Sequence, residues 1–201
     1  SGRPSPTTAQ HVWGDLHGKI EILLDGGSVG IGIESTIVDL SEERPMILRP
    51  GFITQEMLSA VLGDVGMDPG LASENSKQPP KAPGMRYRHY APKADLTLVE
   101  GTMEEVISKI NALTREAQAM GKSVGVLATE ENKDCYVADH VIVIGQRQDE
   151  AEIARHLFDV LRQFDDLQVD LIYSESFVAA GVGQAIMNRL LKAAGHKRIF
   201  V

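Results

Sequence analysis

Four stretches of this chain carry side chains suited to holding an anion. The run KAPGMRYRHYAPK, residues 81–93, has four basic residues and no acid, with Tyr87, His89 and Tyr90 set among them and prolines at 83 and 92. Aromatic faces can stack on a base or ribose, and guanidinium groups neutralise phosphate. The prolines reduce the entropy lost when such a strip is ordered. SGRPSPTT, residues 1–8, places Ser5, Thr7 and Thr8 ahead of a helical segment, with Arg3 alongside. The free N–H groups at a helix start suit a phosphate. GGSVGIGIESTIVD, residues 26–39, has glycines that let a ligand approach the backbone, followed by the hydroxyls of Ser35 and Thr36. Arg49, in LRPG, ends a strand before a Pro-Gly turn, where its guanidinium can fork onto phosphate oxygens. Each stretch also has a plainer reading: a solvated linker, a capped helix, a glycine-rich hairpin, a surface ion pair.

Other motifs carry less chemistry. The glycine stretch lacks the Gly-Lys-Ser/Thr of a P-loop. Gly181 and Gly183 resemble half of a dinucleotide turn, but position 186 is Ile. A tight structural turn is expected there, with Asn188 and Arg189 bracing it locally. His11, His17, His140, His156 and His196 show no metal-ligand spacing and Cys135 has no partner, so no metal centre is expected.

The elements that must position these strips follow from periodicity. SPTTAQHVWGDL predicts a short helix capped by Ser5 with Pro6 at its first position. IEILLDGG predicts a strand ending in a glycine turn, ESTIVDL and PMILRPG two more, and TQEMLSAVLG a helix capped by Thr54 and stopped by Gly63. Beyond the linker, Thr102 and Glu105 form a capping box before Val106, Ile110, Leu113, Ala117 and Met120 at helical spacing. SVGVLAT, HVIVIG, VDLIYS and RIFV read as strands, with amphipathic helices before each of the last two. Continuous apolar strands alternating with helices imply a mostly parallel sheet covered on both faces. The fold class is α/β, divided as residues 1–65, a linker over 66–95, and a small α/β domain over 96–201. Residues 1–65 offer a thin core for a free-standing domain.

Charge narrows the function. The formal net charge is −8 over 201 residues, with 11 acids against 5 bases in residues 1–80 and 17 against 11 in residues 94–201. A broad nucleic-acid or anionic-membrane surface is not expected. The opening SGRPSPTTAQ is polar, unlike a secretory signal, and no apolar run reaches the length of a membrane span. A single cysteine suits a reducing cytoplasm.

Taken in order, SGRPSPTTA, GIESTIVDL, ILRPG, PGMRYRHYAP and GVGQAIMNRLLKAA resemble the long, two-domain form of the threonylcarbamoyl-AMP synthases. That resemblance implies a YrdC-like catalytic domain, here its C-terminal half in residues 1–65, a linker acting as a lid, and a Rossmann-like C-terminal domain. It implies a nucleotidyltransferase that makes threonylcarbamoyl-adenylate from L-threonine, bicarbonate and ATP, releasing pyrophosphate, for N6-threonylcarbamoyladenosine formation on tRNA. Mg²⁺ would accompany ATP, ligated mainly by phosphates and water. The product would pass to the tRNA threonylcarbamoyl-transfer machinery, with no direct nucleic-acid contact.

Residue by residue, the resemblance puts Ser5, Thr7, Thr8 and Arg49 at ATP phosphates and Ser35 and Thr36 at the threonine moiety. Tyr87, His89 and Tyr90 would fold over the filled pocket, with His89 reaching both substrates. The family's catalytic domain begins before residue 1 of this chain, and its upstream Lys and Arg have no counterpart here. The main basic catalytic residues are therefore expected upstream. The chain is expected to be a truncated form, inactive alone, whose exposed sheet edge and apolar surface favour self-association. Two other classes fit the same strips: a non-catalytic nucleotide-binding regulatory module, and a tRNA-binding accessory. The acidic charge balance weighs against the second of these.

Overall fold

The computed structural model describes residues 2–71, 82 and 89–201. Its larger part is a five-stranded parallel sheet of order β6-β5-β7-β4-β8. The strands are β4 (Asp95–Glu100), β5 (Val124–Ala128), β6 (His140–Val143), β7 (Leu171–Glu175) and β8 (Arg198–Phe200). Three helices cover it: α3 (Met103–Ala119), α4 (Glu150–Asp166) and α5 (Gly181–Ala193). Parallel pairing buries both faces of an inner strand, which is why β5, VGVLA, is apolar and buried throughout, whereas the edge strand β8 keeps Arg198 and Phe200 exposed. Strand β4 was not singled out from the sequence, although it pairs with both β7 and β8. Its Leu96, Leu98 and Val99 are fully buried.

The predicted stripes face the sheet except at Met120, which lies at the C-cap beyond the last turn of α3 and is 74% exposed. The α3 capping box forms, with Thr102 accepting from the Glu105 N–H and Glu105 reaching back to Thr102. On α4, Ile153, Leu157, Val160, Leu161 and Phe164 are all buried. Each such side chain contributes about 1.5–3 kcal/mol of transfer free energy. Val106, Ile110 and Ala117 of α3 pack with Val124 and Val126 on one face; α4 and α5 close the other with Leu96, Leu98 and Ile172. At the carboxyl end of β7, the fully buried Glu175 accepts from Tyr136 at 2.8 Å, from the Thr129 hydroxyl at 3.1 Å and from Asn132 at 3.2 Å, and pairs with Arg147.

The smaller part is looser. Strands β1 (Ile37–Asp39) and β2 (Met46–Arg49) pair antiparallel, and β3 (Gly66–Met67) adds to β2 in parallel. Residues 66–67, assigned from the sequence to the linker, are thus part of this sheet. Helix α2 (Gln55–Leu62) is capped by Thr54 and followed by Gly63, as its sequence predicts.

Two expectations fail here. Helix α1 (Ala9–Leu16) is capped by Thr8, whose side chain accepts from the His11 N–H, and not by Ser5. The Ser5 hydroxyl is turned to the Glu34 carboxylate instead of to the helix N–H groups. Residues 20–27 form no strand: Ile22 is 78% and Leu24 90% exposed, and no neighbouring strand pairs with them among the described residues. A strand needs a partner to satisfy its backbone.

The two parts pack together through the α4/α5 face. Ile33 joins the core formed there by α4 and α5. At Gly32, φ is +83° and an added Cβ would lie 2.4 Å from the Arg155 Cα, so only glycine allows this approach. No helix among the described residues is long and apolar enough to cross a membrane.

Candidate functional site

The site grows from the junction of the small sheet with α5. At the end of β2, Arg49 turns back along β1 and donates through Nε to the Ser35 carbonyl at 3.0 Å and through a terminal nitrogen to Ser35 Oγ at 3.3 Å. Thr36 points elsewhere, giving its hydroxyl proton to the Ile53 carbonyl at 2.7 Å. Glu34, one residue before Ser35, accepts the Ser5 hydroxyl at 2.5 Å on one oxygen and Arg189 Nε at 3.0 Å on the other. The Ser5 strip and the C-terminal part therefore meet at a single carboxylate, one residue before the Ser35 that pairs with Arg49.

Thr7 is 6% exposed; its N–H donates to His11 Nδ1 at 3.2 Å and its carbonyl accepts from Val29. Thr8 is occupied by capping. Of the three residues assigned to phosphate in this strip, Ser5 faces open space on both sides. One cleft of about 500 Å³ runs from Ser5 to Thr7 along residues 29–34 to Phe158. A second cleft of about 500 Å³ is lined by Gly2, Arg3, Ser5, Asp15, Lys19 and His89, among others.

The aromatic strip closes against this junction. Tyr90 is 2% exposed, holds the left-handed φ of +62°, packs on Phe158 with centroids 5.1 Å apart, and lies under the Arg189 guanidinium at 5.9 Å. Burial and the nearby Glu34 charge push its hydroxyl above the usual tyrosine range, against the opposing pull of Arg189 and Arg49. His89 meets Tyr90 edge-on at 4.2 Å, and its N–H donates to the Lys192 carbonyl. Its Nδ1 is buried with no hydrogen-bond partner among the described residues, and burial lowers its pKa while Glu34 opposes this. Ala91 then bonds the Gly2 carbonyl at 2.9 Å. Tyr87 lies outside the described residues.

Ser5, Ser35, Arg49, His89 and Tyr90 are thus brought together, while Thr7, Thr8 and Thr36 are tied into local backbone. Glu34 and Arg189 were not recognised as partners from the sequence, and Arg189 does not brace a local turn. A sign of its role is present in the helix: Ala185, Ile186, Arg189, Leu190 and Ala193 share one stripe, so an arginine stands where the pattern calls for an apolar residue. Among the described residues, no group of three or more His, Cys, Asp or Glu side chains is placed to hold a metal ion.

Known proteins are similar to this chain over nearly all of its length. The family model described as threonylcarbamoyl-AMP synthase, C-terminal domain, matches residues 53–195. The chain belongs to the threonylcarbamoyl-AMP synthase family. A further model, described as telomere recombination, matches residues 1–51. The Bacillus subtilis threonylcarbamoyl-AMP synthase is 49% identical over 199 residues, covering 99% of this chain and 56% of that protein. The Pyrococcus abyssi synthase is 44% identical over 201 residues, covering all of this chain and 57% of that protein.

The P. abyssi protein solved with L-threonine superposes with a TM-score of 0.89, covering 100% of this chain and 57% of that one. A P. abyssi variant with an adjacent histidine and tyrosine changed to alanine gives 0.90 at 43% identity, over 100% and 56%. The chain thus spans a little over half the length of the family members it matches. The parallel sheet and its helices conform to that synthase fold.

Proposed function

We propose that this chain forms part of a site that joins L-threonine, bicarbonate and ATP into threonylcarbamoyl-adenylate, the donor for N6-threonylcarbamoyladenosine in tRNA. The observation that carries the proposal is the meeting of Ser5, Ser35, Arg49, His89 and Tyr90 around Glu34, in a chain whose 44%-identical neighbour was solved with L-threonine. Bicarbonate carboxylates the threonine amine with loss of water. A carbamate oxygen then attacks the α-phosphorus, and the bond to the β-phosphate oxygen breaks to release pyrophosphate. Charge accumulates on the leaving group, so placed cations and N–H groups stabilise the transition state.

In this reading Ser35 holds the threonine moiety and Arg49 a phosphate. Ser5 lies between the two clefts, and His89 and Tyr90 shut out water that would hydrolyse the carbamate and the mixed anhydride. His89-Tyr90 is the one adjacent His-Tyr pair of the sequence, the same pair of residue types altered in the P. abyssi variant. Residues 1–65, with 66–67 of β3, belong to the catalytic unit, the remainder of 66–95 to its cover and 96–201 to its base. Mg²⁺ enters with ATP as part of that substrate, and the product passes to the enzyme that transfers the threonylcarbamoyl group to tRNA.

The test is calorimetric titration of L-threonine, and of ATP with Mg²⁺, into the chain. Ser35→Ala is expected to weaken threonine, and Arg49→Met to weaken ATP, each about tenfold, the worth of one charge-assisted hydrogen bond. Binding of both ligands unchanged in both variants would refute the assignment.

A further inference from the structure

Arg189 is the largest fully buried side chain of the described residues, and it lies on a helix of the C-terminal part. A buried guanidinium is costly unless its donors are filled. Only one of its contacts is local, to Asn188 at 3.2 Å. The others cross to the small part: Nε to Glu34 Oε2 at 3.0 Å, and the terminal nitrogens to the Glu34 carbonyl at 3.2 Å and the Pro50 carbonyl at 2.6 Å.

These acceptors are spread across the site. Glu34 and Pro50 flank Ser35 and Arg49, which bond each other, and the second Glu34 oxygen takes the Ser5 hydroxyl. Tyr90 packs beneath the same guanidinium. Apolar contact alone would hold the two parts together, but it is non-directional. A planar fork filled from both parts sets angles and register as well as distance.

We infer that Arg189 is a positioning residue. Through Glu34 and the Pro50 carbonyl, the C-terminal part fixes Ser5, Ser35 and Arg49 in the arrangement that receives substrate, and so forms the back wall of the site. The inference rests on the substrate assignment above for its ligands, and on the geometry alone for its mechanics.

Three variants of the chain test it: Glu34→Gln, Arg189→Lys and Arg189→Met. Two measurements are made on each. The first is affinity for L-threonine and ATP, corrected for the folded fraction seen by circular dichroism. The second is amide hydrogen exchange along the chain. Glu34→Gln keeps the shape and the Ser5 contact but loses the charge that orients the fork. It is expected to weaken threonine about tenfold or more, with faster exchange in residues 2–8, 33–36 and 49–52 and unchanged exchange in β5 and β7. Arg189→Lys keeps the charge as a single point and is expected to recover melting temperature relative to Arg189→Met without recovering affinity.

Affinities that match the wild type after correction would overturn the inference. So would affinity that Arg189→Lys restores in step with melting temperature, since that is what a purely structural residue gives. If Arg189→Met does not fold, Glu34→Gln decides. If the unaltered chain binds neither threonine nor ATP, the substrate assignment fails, and exchange alone decides the positioning role: selective loosening of the three strips supports it, and unchanged protection overturns it.

Discussion

A second clamp joins the two parts, and its removal has a calculable effect. Arg162 on α4 donates twice to the Pro4 carbonyl, at 2.7 and 3.1 Å, and grips Asp15 of α1 with bonds of 2.6 and 3.2 Å. Its side chain is 14% exposed and that of Asp15 24%. The bond from Arg162 is the main reason the Asp15 carboxyl stays below its ordinary range. Arg162→Met keeps the stem and removes every donor. Hydrogen bonds to charged groups are worth about 1.5–3 kcal/mol. The Asp15 carboxylate can be rehydrated, which discounts its share toward surface values, whereas Pro4 is buried.

We therefore expect about 2–3 kcal/mol of lost docking for α1, and roughly half of that for Asp15→Asn, which keeps the Pro4 contacts. The sole tryptophan, Trp13, lies on α1 and reports this event by fluorescence. Far-UV circular dichroism is dominated by α3, α4 and α5. In urea, with slopes of about 1–3 kcal/mol per molar, the fluorescence midpoint should fall by about 1 M or more and separate from the dichroism midpoint. Superimposable transitions that shift together would show that the clamp stabilises the whole molecule. No shift at all would show that the Arg162 contacts contribute nothing net. Either result refutes the reasoning.

Five further variants have outcomes that follow from the same structure. His11 accepts the Thr7 N–H on Nδ1 and meets Asp159 through Nε2 at 3.1 Å, which requires the neutral ring. Burial and Arg162 lower its pKa, and Asp159, Asp15 and Asp166 only partly offset them. A folded pKa below the unfolded value means the unfolded chain binds the proton better, so the His11 contribution is full above about pH 6.5 and is lost as pH falls toward the folded pKa. Thermal melts from pH 8 to 5 should fall less steeply for His11→Gln, and equal slopes would contradict this. Gly183→Ala should destabilise by about 1–3 kcal/mol or more, because its Cβ would sit 2.1 Å from the Val178 carbonyl oxygen. Gly14→Ala on α1, with open space around it, should instead stabilise by about 0.5–1 kcal/mol in denaturant titration. Tyr136→Phe should cost about 1–2 kcal/mol by removing one donor from the buried Glu175, and Glu175→Ala about 3 kcal/mol or more by leaving the Tyr136 and Thr129 hydroxyls without their acceptor and Arg147 without its ion pair.

The sequence by itself determined what short-range physics encodes. The Thr102–Glu105 box, the apolar stripe of α4, the Thr54 cap and the apolar strands β5, β6 and β7 each depend on neighbours within about four positions, and all of them form. The ordered motifs also pointed to Ser5, Thr7, Thr8, Ser35, Thr36, Arg49, Tyr87, His89 and Tyr90 as one group, of which Thr7, Thr8 and Thr36 are tied into local structure instead. Failures came where a distant contact outweighed a local preference. Ser5 gave up its capping role to Glu34, and residues 20–27 found no strand to pair with. Only the tertiary structure could decide that Arg189 meets Glu34 across 155 positions, or that Arg162 meets Pro4 across 158. A buried guanidinium is neutralised by whichever acceptors packing brings to it, and packing is a property of the assembled layers that no local pattern carries.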